Sequence, residues 1–166
     1  MQPKMRDHSM SPEEISDLLS RQKEGVLCSN GADGYPYGTP VNYVYLDGTI
    51  YIHGSKNGEK IGNLRNDPRC CFTVMDPKGF EITGETACNT TTVYESVVIR
   101  GKAAIITDEE TKIRVLRGMV DRLVPDKKNA AMEMAKIPPT EVIAIAAESV
   151  TGKYHRPVTG HRVIDG

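Results

Sequence analysis

Residues 37 to 53 constrain the fold more than any other stretch of the chain. From Tyr37 to Leu46 the sequence alternates and is rich in Val and Tyr, Asp47 and Gly48 follow, and Thr49 to His53 resumes as Thr, Ile, Tyr, Ile, His. Two β-branched and aromatic runs joined by Asp-Gly read as a β-hairpin, because that dipeptide tolerates the positive φ angles of the tight turns whose twist matches paired strands. Just upstream, Val26 to Ser29 is a short apolar run before the turn-rich Asn30, Gly31, Ala32, Asp33 and Gly34, which predicts a first hairpin ahead of the second.

The other elements fall around these hairpins. Ser11, Pro12 and Glu14 form a capping box before Ile15, Leu18 and Leu19, so a helix is expected over roughly 12–23, stopped by Gly25. Asn57 is read as the cap of a short helix carrying Ile61 and Leu64, closed by Asn66, Asp67 and Pro68, with a strand from Arg69 to Met75. Asp76 to Thr92 is polar and holds Gly79 and Gly84, and reads as a long excursion. Tyr94 to Ile106 is the longest strand candidate, with a bulge expected at Gly101. Thr107 or Asp108 caps a helix to about Leu123 whose core face is taken to be Ile113, Leu116, Val120 and Leu123. A looser helical piece over 129–136 and a last strand over 141–150 complete the pattern. Residues 1–10 and 157–166 read as tails, and Lys153, His155, Arg156, His161 and Arg162 as a solvated basic end. Six strands joined mostly by hairpins, with helices at the edges, predict an antiparallel barrel-like sheet in one domain of 166 residues.

Composition removes several functional classes. With 21 basic and 22 acidic residues and a net charge of −1, the chain has no overall positive field for nucleic acid, and with no Trp and 2 Phe it has few stacking platforms for single strands. The apolar windows Val142 to Ala147 and Ala103 to Ile106 are far below the roughly 20 residues of a membrane span, and MQPKMRDHSM leads into polar sequence, not a signal-peptide core. A soluble, cytoplasmic protein with neither membrane nor nucleic acid as partner is expected. Cys28, Cys70, Cys71 and Cys88 include no CxxC pair, so no metal site is expected and the thiols read as small buried or half-buried groups; Cys70 and Cys71 should point to opposite faces of a strand.

The stretch HGSKNGEKIGNLR, residues 53 to 65, carries the chemistry. A strand end delivers His53, Gly54 and Ser55 into a loop and then a helix start, where glycines allow close backbone approach, first-turn N–H groups lack partners and Lys56 and Lys60 add charge. Such a loop can cradle a phosphate, although lysines beside a helix start are more often a solvated surface. No GxGxxG or P-loop pattern occurs.

The run YGTPVNYVYLDGTIYIHGSKNGEKIGNLRNDPRCCFTV, followed by YESVVIRGKA, resembles the FMN-binding split-barrel superfamily, in particular its pyridoxamine 5'-phosphate oxidase-like, nitroimidazole-resistance branch, over about residues 10 to 155. The resemblance implies a six-stranded antiparallel split β-barrel with flanking helices, FMN as cofactor and a homodimer with FMN at its interface. It implies that Pro40, Val41, Asn42 and Tyr43 run along the flavin mainly through backbone groups, and that His53, Gly54 and Ser55 lie beside the ribityl chain and phosphate. Lys60 matches the phosphate-binding lysine. Tyr94, Glu95, Ser96 and Val97 would share the site across the dimer, with Ser96 standing where a longer glutamine contacts the flavin in pyridoxamine phosphate oxidases.

The implied function is an FMN-dependent oxidoreductase that reduces a small electrophile, such as a nitroimidazole or another nitroaromatic, with electrons from NAD(P)H or another donor. The alternatives are a non-catalytic flavin- or haem-binding protein, the latter through His155 and His161, and a deazaflavin-dependent reductase. Pyridoxamine phosphate oxidation itself matches poorly, because Tyr154, His155, Arg156 and Pro157 do not reproduce the basic segment of those enzymes. By strand alternation His53 shares a face with Tyr51, where it can act as a proton donor or substrate contact, or only hold the loop. Tyr43, Tyr45 and Tyr94 can stack on a ligand or pack in the barrel.

Overall fold

A computed structural model describes residues 7–165. Seven strands and three helices follow the order α1 (Pro12–Arg21), β1 (Glu24–Asn30), β2 (Pro36–Leu46), β3 (Thr49–Ser55), α2 (Glu59–Asn66), β4 (Arg69–Ile82), β5 (Thr90–Ile106), α3 (Glu109–Leu123), β6 (Thr140–His155) and β7 (Arg162–Ile164). The sheet runs β1-β2-β3-β6-β5-β4, all antiparallel, and β4 pairs back onto β1 through Val26–Thr73 to Ser29–Cys70, closing a six-stranded ring. This is the expected antiparallel barrel with helices at its edges. Among the described residues no helix is long and apolar enough to cross a membrane.

The local signals act as their chemistry dictates. Ser11 Oγ accepts from the Glu14 N–H and Glu14 accepts from the Ser11 N–H, so the capping box of α1 is complete. Asp47 and Gly48 take φ angles of 50° and 78°, which turn β2 into β3. Inside the ring, Leu27, Tyr43, Ile52, Phe72, Val97 and Ile143 are wholly buried, joined by Leu18 and Leu19 of α1 and Ile61 and Leu64 of α2. Burial of each leucine of α1 contributes about 2 kcal/mol. Cys70 faces inward and Cys71 outward, as alternation requires.

Several expectations need correction. The N-cap of α2 is Gly58, without a side-chain hydrogen bond, while the Asn57 N–H donates to Ser55 Oγ at 3.4 Å. The excursion expected over 76–92 is mostly strand. β4 continues to Ile82 across an irregularity between Pro77 and Phe80, and β5 begins at Thr90, so only a short turn separates them. The polar residues of that hairpin hid its alternation. α3 is rotated from the expected face: Lys112, Val115 and Met119 are its buried residues, packed on Val44 and Val142, while Leu116 and Leu123 are only partly buried. The helical piece over 129–136 reduces to single 3-10 turns at Pro125–Lys127 and Met134–Lys136.

The described parts of both tails are tied to the barrel. Ser9 bridges to Lys153, and the Met10 N–H donates to the Gly152 carbonyl at 3.1 Å; residues 1–6 of the expected N-terminal tail lie outside the described residues. β6 reaches His155, and β7 pairs with β4 through Phe80–Ile164, Glu81–Val163 and Ile82–Arg162. The expected solvated basic end is tied down by Glu81, which is 1% exposed. Its carboxylate accepts from the Val158 N–H at 2.8 Å and lies 2.6 Å from His155 Nε2 and from His161 Nδ1. These contacts, the Val158 N–H first, hold the Glu81 carboxyl down to about 2.

Candidate functional site

The barrel opens between β2 and β3. Their ladder runs from Leu46–Thr49 only as far as Tyr43–Ile52. Beyond it, β2 stays paired with β1 through Asn42–Glu24, Val41–Gly25 and Pro40–Val26, while β3 stays paired with β6 through His53–Val142, Gly54–Glu141 and Ser55–Thr140. Pro40 to Asn42 and His53 to Ser55 therefore flank a gap in the ladder, and backbone groups directed into it are free to meet a ligand.

The loop after β3 is braced from several sides. The Gly58 N–H donates to the Ser55 carbonyl at 2.8 Å and the Lys56 N–H to the Pro139 carbonyl at 3.3 Å. Arg65 donates to the Lys56 carbonyl at 3.2 Å and pairs with Glu141 Oε1 at 2.9 Å. Arg65 thus positions the loop, a role its place in the motif did not reveal. Held this way, the start of α2 swings Lys60 back over Gly54: a Cβ on Gly54 would sit 2.8 Å from Lys60 Cε and 3.0 Å from Nζ. The missing side chain at position 54 makes room for the lysine. Gly54, the Lys60 ammonium and the first turn of α2 converge as an anion cradle requires.

His53 borders this loop with its outer edge exposed. Its ring Nδ1 lies 3.1 Å from Met119 Sδ of α3. Burial of that side of the ring, with Lys60 adding its charge, lowers the His53 pKa below the ordinary histidine value, so the imidazole is neutral at neutral pH. Beside it opens a cleft of about 540 Å³ between α3 and the 124–137 segment, lined by Leu116, Met119, Leu123, Lys127, Ile137 and Thr140 among others. Sequence reasoning missed this cleft. Its signal was the apolar stripe of α3, which was assigned to the core.

The other expected site residues divide. Asn42 Nδ2 reaches the Lys23 carbonyl at 3.4 Å, and Val41 packs on the core. Tyr43 points inward, edge-on to Phe72 at 5.1 Å with its hydroxyl donating to the Leu19 carbonyl at 2.8 Å; burial pushes its pKa up to about 12, so only its backbone can face a ligand. Tyr45 also packs against the core. Tyr94 to Val97 lie elsewhere on the protomer. His53 is level with Val142, which pairs with Ile106 of β5, and Ser96 is ten residues back along that strand, a path of about 30 Å. Val97 is wholly buried, and Glu95 pairs with Arg21, with Lys78 at 3.0 Å and with Arg156 at 3.5 Å. Within one protomer the structure joins Pro40 to Tyr43 with His53 to Ser55 and Lys60, while Tyr94 to Val97 lie far along β5 from His53 and three strands across from Pro40 to Asn42 by way of β1 and β4.

The chain is similar to known proteins over nearly its whole length. A conserved hypothetical protein of Mycobacterium tuberculosis is 26% identical, with a TM-score of 0.72 covering 90% of this chain and 88% of that one. The flavocytochrome Anf3 of Azotobacter vinelandii is 23% identical, with a TM-score of 0.82 over 94% and 72% of the two chains. A candidate 5-nitroimidazole antibiotic resistance protein of Bacteroides thetaiotaomicron is 22% identical, with a TM-score of 0.75 over 87% and 85%. A sequence search of curated proteins finds no match. The family model described as pyridoxamine 5'-phosphate oxidase matches residues 11–154, from the cap of α1 almost to the end of β6. With a ring of six antiparallel strands open between β2 and β3 and a family match across that ring, the chain belongs to the pyridoxamine 5'-phosphate oxidase family.

Proposed function

We propose that this protein is an FMN-dependent oxidoreductase that works as a homodimer and reduces a small electrophile, a nitroaromatic being the first candidate, with electrons from NADH or NADPH. The observation that carries the reading is the convergence of Gly54, Lys60 and the start of α2 at the gap between β2 and β3. Those residues fit a flavin phosphate: a cation, first-turn N–H groups and a side-chain-free approach at one point. The bound flavin would supply the redox chemistry, accepting hydride and passing electrons onward.

The protein's own groups hold and orient. Lys60 neutralises phosphate charge, and backbone groups of Pro40 to Asn42 and His53 to Ser55 hydrogen-bond the body of the cofactor. His53, neutral and fixed by Met119, holds its imidazole at the edge of the apolar cleft, placed to exchange a proton with a substrate there. In a homodimer Tyr94 to Ser96 would complete the partner's site. The flavocytochrome, the resistance protein and an FAD- and heme-binding protein of Mycobacterium smegmatis, 20% identical at a TM-score of 0.79, give the reading its context.

An absorption spectrum of the purified protein, before and after anaerobic NADH or NADPH, tests it. Flavin bands that bleach, and recover on addition of a nitroimidazole, are expected. A colourless protein without affinity for added FMN overturns the reading. Flavin bands that no reductant bleaches favour a non-catalytic flavin carrier, and a Soret band favours a haem protein. His155 and His161, the residues considered for haem, are engaged by Glu81.

A further inference from the structure

We propose that Cys28 and Cys71 form a reversible dithiol–disulfide pair on the outer wall of the barrel, oxidised by exchange with small disulfides of the glutathione type. The two residues are direct partners in the ladder that closes the ring, Cys28 of β1 opposite Cys71 of β4. Both side chains point outward, because their neighbours Leu27, Ser29, Cys70 and Phe72 are the buried ones. Direct partners in antiparallel strands have Cα atoms about 4.5–5.5 Å apart, inside the roughly 4.4–6.8 Å that a disulfide bridges. Both thiols are free and half-buried, and both line one shallow surface depression.

The neighbours on the same face assign the roles. Arg100 is the direct partner of Cys71 on β5, and Arg69 stands two residues before it on β4, and both line that depression. Arg69 is paired with Asp67 and Glu148 lines the same depression, so the Arg100 guanidinium beside Cys71 is the charge that draws an anionic disulfide to that thiol first. Gly38 is the partner of Cys28 on β2, where a Cβ would lie 3.7 Å from the Cys28 sulfur, so Cys28 has room to turn. Burial, and then the adjacent Cys71, push the Cys28 thiol up, which suits a resolving thiol more than an attacking one. Cys70 takes no part: it faces the core, and burial pushes its thiol up to about 11.

The exchange balances without another reactant. Cys71 thiolate attacks one sulfur of the small disulfide, the S–S bond breaks, and one thiolate leaves. Cys28 thiolate then attacks the Cys71 sulfur of the mixed disulfide and expels the second. The protein loses two thiol protons and two electrons, and the small disulfide is reduced to two thiols. The new bond staples β1 to β4 at the seam that closes the barrel.

The test uses the full chain carrying Cys88→Ser, because Cys88 is exposed and would take an adduct of its own. After incubation with glutathione disulfide, intact mass and peptide mapping should show the loss of two hydrogens, no retained glutathione and a 28–71 linked peptide, with a thermal midpoint several degrees higher that dithiothreitol returns to its starting value. Adding Cys28→Ser should trap glutathione on Cys71. A stable glutathione adduct with Cys28 still reduced, a disulfide between two copies of the chain, or unreacted thiols would each overturn the proposal. The result does not depend on flavin binding, so it stands or falls apart from the proposed activity.

Discussion

Replacing Lys60 by Ala separates the phosphate cradle from the rest of the site. Opposite unit charges about 4 Å apart attract by about 4 kcal/mol at an effective dielectric constant of about 20. Desolvation of the half-buried ammonium leaves a net charged hydrogen bond of about 1.5–3 kcal/mol. At about 1.4 kcal/mol per decade this predicts that Lys60→Ala weakens FMN about ten- to a hundredfold. Riboflavin lacks the phosphate, so its affinity should be unchanged, and comparing the two ligands isolates the contact. Gly54→Ala should give a smaller loss, because its Cβ, 2.8 Å from Lys60 Cε, displaces the ammonium without deleting it. Titration of flavin-free protein by flavin fluorescence quenching gives all the constants. Equal losses for FMN and riboflavin, or none for either, would refute the assignment of Lys60 to phosphate.

Two predictions concern the framework. The Glu81 carboxyl is depressed from 4.5 to about 2, so its contribution to stability is complete above pH 4.5 and is lost as pH falls toward 2. Glu81→Gln should flatten that part of the denaturation-midpoint profile and speed amide exchange over 158–164; an unchanged profile would show that the carboxylate does not anchor the C-terminal strand. At Gly101 an added Cβ would stand 2.1 Å from the Ala146 carbonyl oxygen, which is backbone and cannot rotate aside. Gly101→Ala should therefore destabilise the barrel by about 1–3 kcal/mol, read as a fall of several degrees in the thermal midpoint, and an unaltered midpoint would contradict the strain.

Features set by neighbours in sequence were legible from it. The Asp47–Gly48 turn and the capping box at Ser11 depend on residues within one turn of chain, and the bulge at Gly101 was marked by the glycine itself, which lies where the β5–β6 register shifts after Arg100. Features set by distant partners were not. The pairing of Glu81 with Val163 and the contacts of Glu81 to His155 and His161 span about half the chain, so their polar residues looked solvated. On α3, two of the expected apolar positions, Leu116 and Val120, directly follow Val115 and Met119, and only the sheet beneath decides that Val115 and Met119 go inward. In the site, the lysines at a helix start just beyond His53 and Gly54 followed from the motif, but β3 runs past the end expected at His53, to Ser55, paired with Glu141 and Thr140 of distant β6. The cleft beside His53 did not, because half its wall is chain without a periodic pattern.

The clasp around Glu81 has a consequence for synthesis. Phe80, Glu81 and Ile82 are made 82 or so residues before Ile164, Val163 and Arg162, the strand that pairs with them. Until that strand emerges, the outer edge of β4 beyond the β1 ladder presents unpaired backbone, and a carboxylate destined for burial keeps it hydrated and unattractive to another chain. The same charge that later gathers two imidazoles thus guards an open edge during translation. A released chain ending short of residue 162 would hold a barrel closed at its seam and still open at this corner.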